Sequence, residues 1–225
     1  MSQISMLDTI AQPPARALAR LRHGRALHRD GLTRVGASLV DTDDLPIGPG
    51  PVTVRVSKGI GTPGGLPDLV GIAIRFEPEA HLVAGGAGRW DLLMTGDLRR
   101  IAGVEVPVPA HNWSGITVSP LTRFQYRGST WRLSGLLDTP PSSSGLDIGE
   151  LADILATDNA VVTLTASRDG GPWQSLGTVE FGAVREEDDV TFDPTDTLPR
   201  GVDPVPDWLN RLRRSAYRGS RQGRQ

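Results

Sequence analysis

The chain has 225 residues, no cysteine and a formal net charge of −2, with hydrophobic residues at 38% and charged residues at 22%. That balance belongs to a soluble globular protein with a real core, and so small a net charge gives no field to draw it to nucleic acid or anionic lipid. Without cysteine, disulfides, thiolate-ligated zinc, iron–sulfur clusters and thiolate catalysis are excluded.

The first 25 residues hold no apolar stretch long enough for a signal peptide or a membrane span, so a cytoplasmic location is expected. Residues 14–23 (PARALARLRH) read as a short arginine-rich helix, with Leu18 and Leu21 on one face. From about Leu32 the period becomes two. TRVGASLV (33–40), PVTVRVS (51–57) and LVGIAIRF (69–76) are strands separated by Gly/Pro turns. RFQYRG (123–128), TWRLSGLL (130–137), AVVTLTAS (160–167) and WQSLGTVEF (173–181) continue the pattern, and RDGG (168–171) is a hairpin turn between the last two. Residues 147–156 (DIGELADILA) read as a short helix, PPSSSG (140–145) as a flexible loop, and GTPGG (61–65) as a turn, since no Lys-Ser/Thr follows it to make a phosphate loop.

The 27 glycines and 18 prolines fit many short strands joined by tight turns. About eight strands in one domain predict a mainly β, α+β fold: a closed antiparallel barrel over residues 32–182, with an N-terminal helix and a C-terminal helix at 206–222. A two-sheet sandwich shares this periodicity. The acidic run EEDD (186–189) and a Pro- and Asp-rich linker (193–207) lead into the last helix, which Pro206 and Asp207 start. Of the 24 basic residues only Lys58 is a lysine.

Two constellations carry chemistry. On the last helix, Arg213, Tyr217 and Arg224 share nearly one face. A guanidinium one turn from a phenol favours the phenolate, and a phenolate on a rigid helix is what a tyrosine-ligated ferric haem requires. Arg224 offers a bidentate fork for a haem propionate. The plainer alternative is a half-buried tyrosine on a solvated basic face. At the other end of the chain, RALH (25–28) stands just ahead of the first strand and VRVS (54–57) lies in the second. If those strands pair, His28 and Ser57 face one cavity, where the hydroxyl orients an imidazole suited to shuttle a peroxide proton. His23, His81 and His111 show no ligand spacing and are assigned no metal.

These blocks resemble the haem-dependent catalase family. Its R-x-x-H, V-R-x-S, G-x-A-[VI]-[KR]-F and W-D-L segments are matched in order by RALH (25–28), VRVS (54–57), GIAIRF (71–76) and WDL (90–92). Its proximal segment, G-[IV]-x-P-x-P-D followed by R-x-x-x-Y-x-x-[ST]-x-x-x-R, is matched by GVDPVPD (201–207), Arg213, Tyr217, Ser220 and Arg224. The matched blocks cover about a third of the chain and span nearly its full length.

The resemblance implies a haem domain over residues 1–225 with Tyr217 as axial ligand to the iron and Arg213 beside it. It further implies Leu27 against the distal face, Arg25, Arg55 and Arg224 on the propionates, and Ser57 hydrogen-bonded to His28. The expected substrate is hydrogen peroxide or an organic hydroperoxide. The family's distal asparagine is replaced, with Thr95 and Gly96 where that amide would fall and Asn112 too far along to take its place. Losing one preorganised donor is worth about 3 kcal/mol, or a hundredfold in rate, so a peroxidase is expected rather than a fast catalase. The alternatives are a haem- or small-ligand-binding barrel without turnover (a sensor or carrier), and a barrel that has lost haem and serves as an interaction module.

Overall fold

The structure is a computed structural model that describes residues 30–77, 88–101, 104–157, 160–184, 190–194 and 197–205. Eight strands close into an antiparallel barrel: β1 (Gly31–Ser38), β2 (Gly50–Lys58), β3 (Val70–Phe76), β4 (Trp90–Gly96), β7 (Ile116–Ser119), β9 (Ser129–Asp138), β10 (Val161–Arg168) and β11 (Trp173–Val184). Closure comes from β10, which pairs with β11 on one side and β9 on the other, while β11 pairs with β1. Of the two architectures that the periodicity allowed, the chain therefore adopts the barrel, which leaves no unpaired edge among its staves. Both expected terminal helices lie outside the described residues.

The stave set differs from the periodicity reading. RFQYRG forms β8 (Arg123–Tyr126), which hangs on β9 beside the barrel and carries β12 (Asp203–Val205) on its outer side. The places in the wall go to β4 and β7 instead. WDLLMTG is buried along most of its length on both faces, so it shows no alternation to read. The strand β7 has only four residues. A separate hairpin, β5 (Leu98–Ile101) with β6 (Val104–Pro107), forms a two-stranded sheet of its own.

The inward parity is apolar almost throughout: Val52, Val54 and Val56 of β2, Ile72, Ile74 and Phe76 of β3, and Leu92 and Met94 of β4 are all buried. Registers such as Val54 opposite Ile74 and Ile74 opposite Leu92 stack these side chains in layers across the wall. Trp90 meets Phe124 edge to face at 5.2 Å, tying the β8 flap to the core. The RDGG turn behaves as its composition dictates, with Asp169 and Gly170 at φ 50° and 78°, the left-handed pair of a two-residue hairpin loop.

One barrel end is closed by α1 (Ile148–Ile154) and by the loops after β2 and β9. Leu151 and Ile154 of α1 point into the core, and Asp147 caps the helix by accepting from Glu150 N at 2.9 Å. The serines of 140–145 do not form the loose loop that composition suggested. Ser143 N, Ser143 Oγ and Ser144 N all donate to the Glu150 carboxylate, and Ser142 is bonded to Asn112 through both its backbone groups. Serine-rich segments read as flexible only until a carboxylate gathers their donors; here the Ser143 backbone donor, with the others, holds the Glu150 carboxyl below its usual range.

Asp68 organises the GTPGG loop. Its buried carboxylate accepts from Ile60 N, Thr62 N, Thr62 Oγ1 and Leu69 N at 2.6–2.9 Å. Burial alone would raise this carboxyl; the donors of Thr62, Ile60 and Leu69 together outweigh it and hold the pKa below the ordinary 3.8. The stability this lowering contributes is complete above the unfolded value and is lost as pH falls through the folded one. Asp68→Asn is thus expected to destabilise the protein at pH 7 by about 1–3 kcal/mol, the scale of a lost charge-assisted bond set. The difference from wild type should shrink on titration below about pH 4, and urea unfolding across pH 2–7 reads both.

Candidate functional site

The sequence-derived site divides at the described boundary. Arg25, Leu27, His28, Arg213, Tyr217 and Arg224 lie outside the described residues, as do His23 and His81. Arg55 and Ser57 lie on β2, on the parity opposite to Val54 and Val56, so both face outward from the barrel wall. The pairing of the first two strands that the site requires is present, with Gly31 opposite Ser57 and Thr33 opposite Arg55.

Across the neighbouring strands the same outward row continues as Gly31, Ser57, Gly71 and Thr95. All four residues are small, and Ser57 and Gly71 are buried while Gly31 and Thr95 are half-buried. Ser57 is buried and donates to Gly71 O at 3.3 Å. One row along, Arg55 is half-buried, and its Nη1 donates to Thr33 Oγ1 at 3.0 Å, which fixes the guanidinium plane over the outer face.

Thr95 and Gly96, which replace the amide of the resemblance, point to opposite sides. Thr95 shares the row of Ser57, with Gly71 between them, whereas Gly96 faces inward opposite Val118. Asn112 belongs to the closed end of the barrel: its Nδ2 donates to Ser142 O at 2.7 Å and its Oδ1 accepts from Ser114 N at 2.9 Å. Its role is to fold a loop. His111 is exposed.

Two rows from Ser57 on the same outer face, beyond Arg55, lies a second polar group. Arg75 of β3 and Asp91 of β4 stand opposite each other and form a two-pronged ion pair, Nε to Oδ1 and Nη2 to Oδ2, both at 2.7 Å. Asp91 is 1% and Arg75 7% exposed. The pair anchors a later segment: Arg75 Nη2 donates to Thr191 O, Asp193 N to Asp91 Oδ2, and Asp91 N to Thr197 Oγ1, while Phe192 packs its ring 4.9 Å from the guanidinium. The bond to Asp91 raises the Arg75 pKa further, against the effect of burial. The Pro/Asp-rich stretch is therefore part of the fold over 190–194 and 197–205, not a free linker, and Pro204 is tolerated because β12 is an edge strand.

No group of three or more His, Asp or Glu among the described residues is arranged to hold a metal ion, and no helix among them is long and apolar enough to cross a membrane. The described part of the site thus comprises a row of small residues on the outer wall, the Ser57 hydroxyl bonded to Gly71 O and the Arg55 guanidinium bonded to Thr33 Oγ1. No protein-family model matches the chain, and a search of characterised proteins returns no match.

Proposed function

We propose that the protein binds haem against the outer face of β1–β4 and acts as a peroxidase on hydrogen peroxide or an organic hydroperoxide. The observation that carries this reading is the register of β1 on β2, which sets Gly31 opposite Ser57. His28 lies three residues before Gly31. A chain spans at most about 3.6 Å per residue, so three residues tether His28 within roughly 11 Å of Gly31.

The residues present fit the group. The row of Gly31, Ser57, Gly71 and Thr95 carries only small side chains, and Arg55, one row along and bonded to Thr33, brings a guanidinium, the group that pairs with a propionate. Arg25 and Arg224 would serve the remaining propionate contacts, Leu27 the distal face, and Tyr217 the iron, with Arg213 favouring its phenolate. Bound there, haem would supply the redox-active iron at which the peroxide O–O bond is cleaved. His28 would take the proton from the peroxide oxygen nearer the iron and return it to the departing oxygen, which leaves as water or an alcohol. Ser57, its own proton on Gly71 O, would accept from the imidazole and keep the ring's other nitrogen toward the substrate. Thr95 in the row of Ser57 gives no amide donor to polarise the peroxide, which favours slow, peroxidase-like turnover over rapid disproportionation.

Protein produced with haem supplementation should show a Soret band with features of a high-spin, phenolate-ligated ferric iron, and Tyr217→Phe should lose those features. A colourless wild type after reconstitution, or an unchanged spectrum in Tyr217→Phe, would overturn the assignment.

A further inference from the structure

The chain's single lysine is buried. Lys58 ends β2 on the inward parity, opposite Val70, at the barrel end that α1 and the loops close, and it is 1% exposed. Its ammonium has three protons to place. Among the described residues Gly64 O, at 2.7 Å, is its hydrogen-bond acceptor, and no carboxylate lies within 4.0 Å of it. A buried cation held by one neutral carbonyl is costly unless an anion completes it.

The second buried cation at this end is in the same condition. Arg34 of β1 is 5% exposed; its Nη2 reaches Ala152 O of α1 at 2.9 Å, its Nε has no acceptor, and no carboxylate pairs with it among the described residues. Both side chains therefore bring positive charge beneath α1. Lys58 in addition floors a cleft of about 440 Å³, whose walls are Asp30, Gly31, Thr62, Pro63, Gly64, Asp147 and Ile148. The walls are fixed before any ligand arrives. Asp68 holds the 60–69 loop by four bonds, and Gly65 is pressed against the 144–145 backbone so closely that a Cβ there would collide with Ser144 O.

We propose that this cleft, which meets the outer row at Gly31 and lies on the inward side of it at Lys58, is a second ligand site, which takes a small monocarboxylate bearing a neighbouring hydroxyl or ammonium donor. The carboxylate would accept the remaining Lys58 protons. Asp30 and Asp147 at the walls would repel a second negative charge and accept from the donor, so dianions such as succinate or phosphate are disfavoured. The site does not depend on the haem reading, and its test uses a different signal.

Because Lys58 is the only lysine, protein labelled with ¹³C at lysine Cε gives one side-chain resonance, which reports this site without any substitution. Titration with glycolate or glycine should move that resonance saturably. Equal concentrations of sodium chloride, succinate or methylammonium should move it less than half as far. A saturable rise in melting temperature with glycolate should accompany the shift and vanish in Lys58→Met, with folding of the variant checked by circular dichroism. A resonance that glycolate and glycine leave in place overturns the proposal, as does one that chloride moves equally, which would mean an adventitious ion only.

Discussion

Replacing Asp91 by alanine should cost the fold about 3–5 kcal/mol, the usual consequence of removing one partner of a buried ion pair. The reason is what stays behind. Arg75, 7% exposed, would keep its charge beside Thr191 O, the Phe192 ring and the Glu77 charge, without its two-pronged partner. Asp193 N would lose its Asp91 acceptor, and the 190–194 segment one of its attachments to the wall. In urea, where small proteins respond by about 1–3 kcal/mol per molar, the midpoint should fall by roughly 2 M. The pair itself is expected to contribute far less than that loss. Arg75→Met combined with Asp91→Leu should recover most of the stability, because two desolvated charges are exchanged for packed apolar groups. A loss below about 1 kcal/mol in Asp91→Ala would mean that water reaches the pair and that it behaves as an exposed bridge.

This pair also shows where sequence reading stops. Arg75 and Asp91 each sit as a lone charge among apolar neighbours, in GIAIRF and in WDLLM, and that anomaly is visible in the sequence. Their meeting is not, because it depends on the register of β3 on β4 across an intervening 15 residues. That Arg55 and Ser57 share one parity was legible, since the valines of VTVRV alternate with them, but Ser57 was expected to face a cavity and lies instead on the outward side of the wall. The Asp169–Gly170 hairpin was also legible, since its turn chemistry is local. The strand β4 was hidden by burial on both faces, which erases the period-two signal, and β7 by its length of four residues. The Pro/Asp-rich segment misled for a different reason. Composition reports how a segment behaves alone, whereas Asp193 is held by the Asp91 carboxylate and Thr197 by the Asp91 backbone N–H, some 100 residues away in sequence. Lys58 and Arg34 break the apolar inward parity of their strands, a signal that is present in the sequence but cannot be recognised until the parity is assigned.

His28→Ala separates an enzyme from a carrier, and the expected loss is the largest of any single substitution on the haem face. If His28 carries the peroxide proton, the variant should retain the Soret band, because the proposed iron ligand is Tyr217, yet lose roughly 10²–10⁴-fold in the rate of peroxide-dependent oxidation, the typical worth of a positioned acid–base group. Ser57→Ala should lose less. In the proposed mechanism its hydroxyl, which donates to Gly71 O, would transfer no proton and would only orient the imidazole, so removal would loosen the base without deleting it. The order of the two effects carries the argument: a loss in His28→Ala well above that in Ser57→Ala assigns proton transfer to the imidazole, while equal losses would point to general disruption of the wall. Stopped-flow mixing of haem-loaded protein with hydrogen peroxide, at matched haem content, gives the decisive rate. Should wild type and His28→Ala react at the same rate, His28 is a structural residue, and the barrel is better described as a haem binder without turnover.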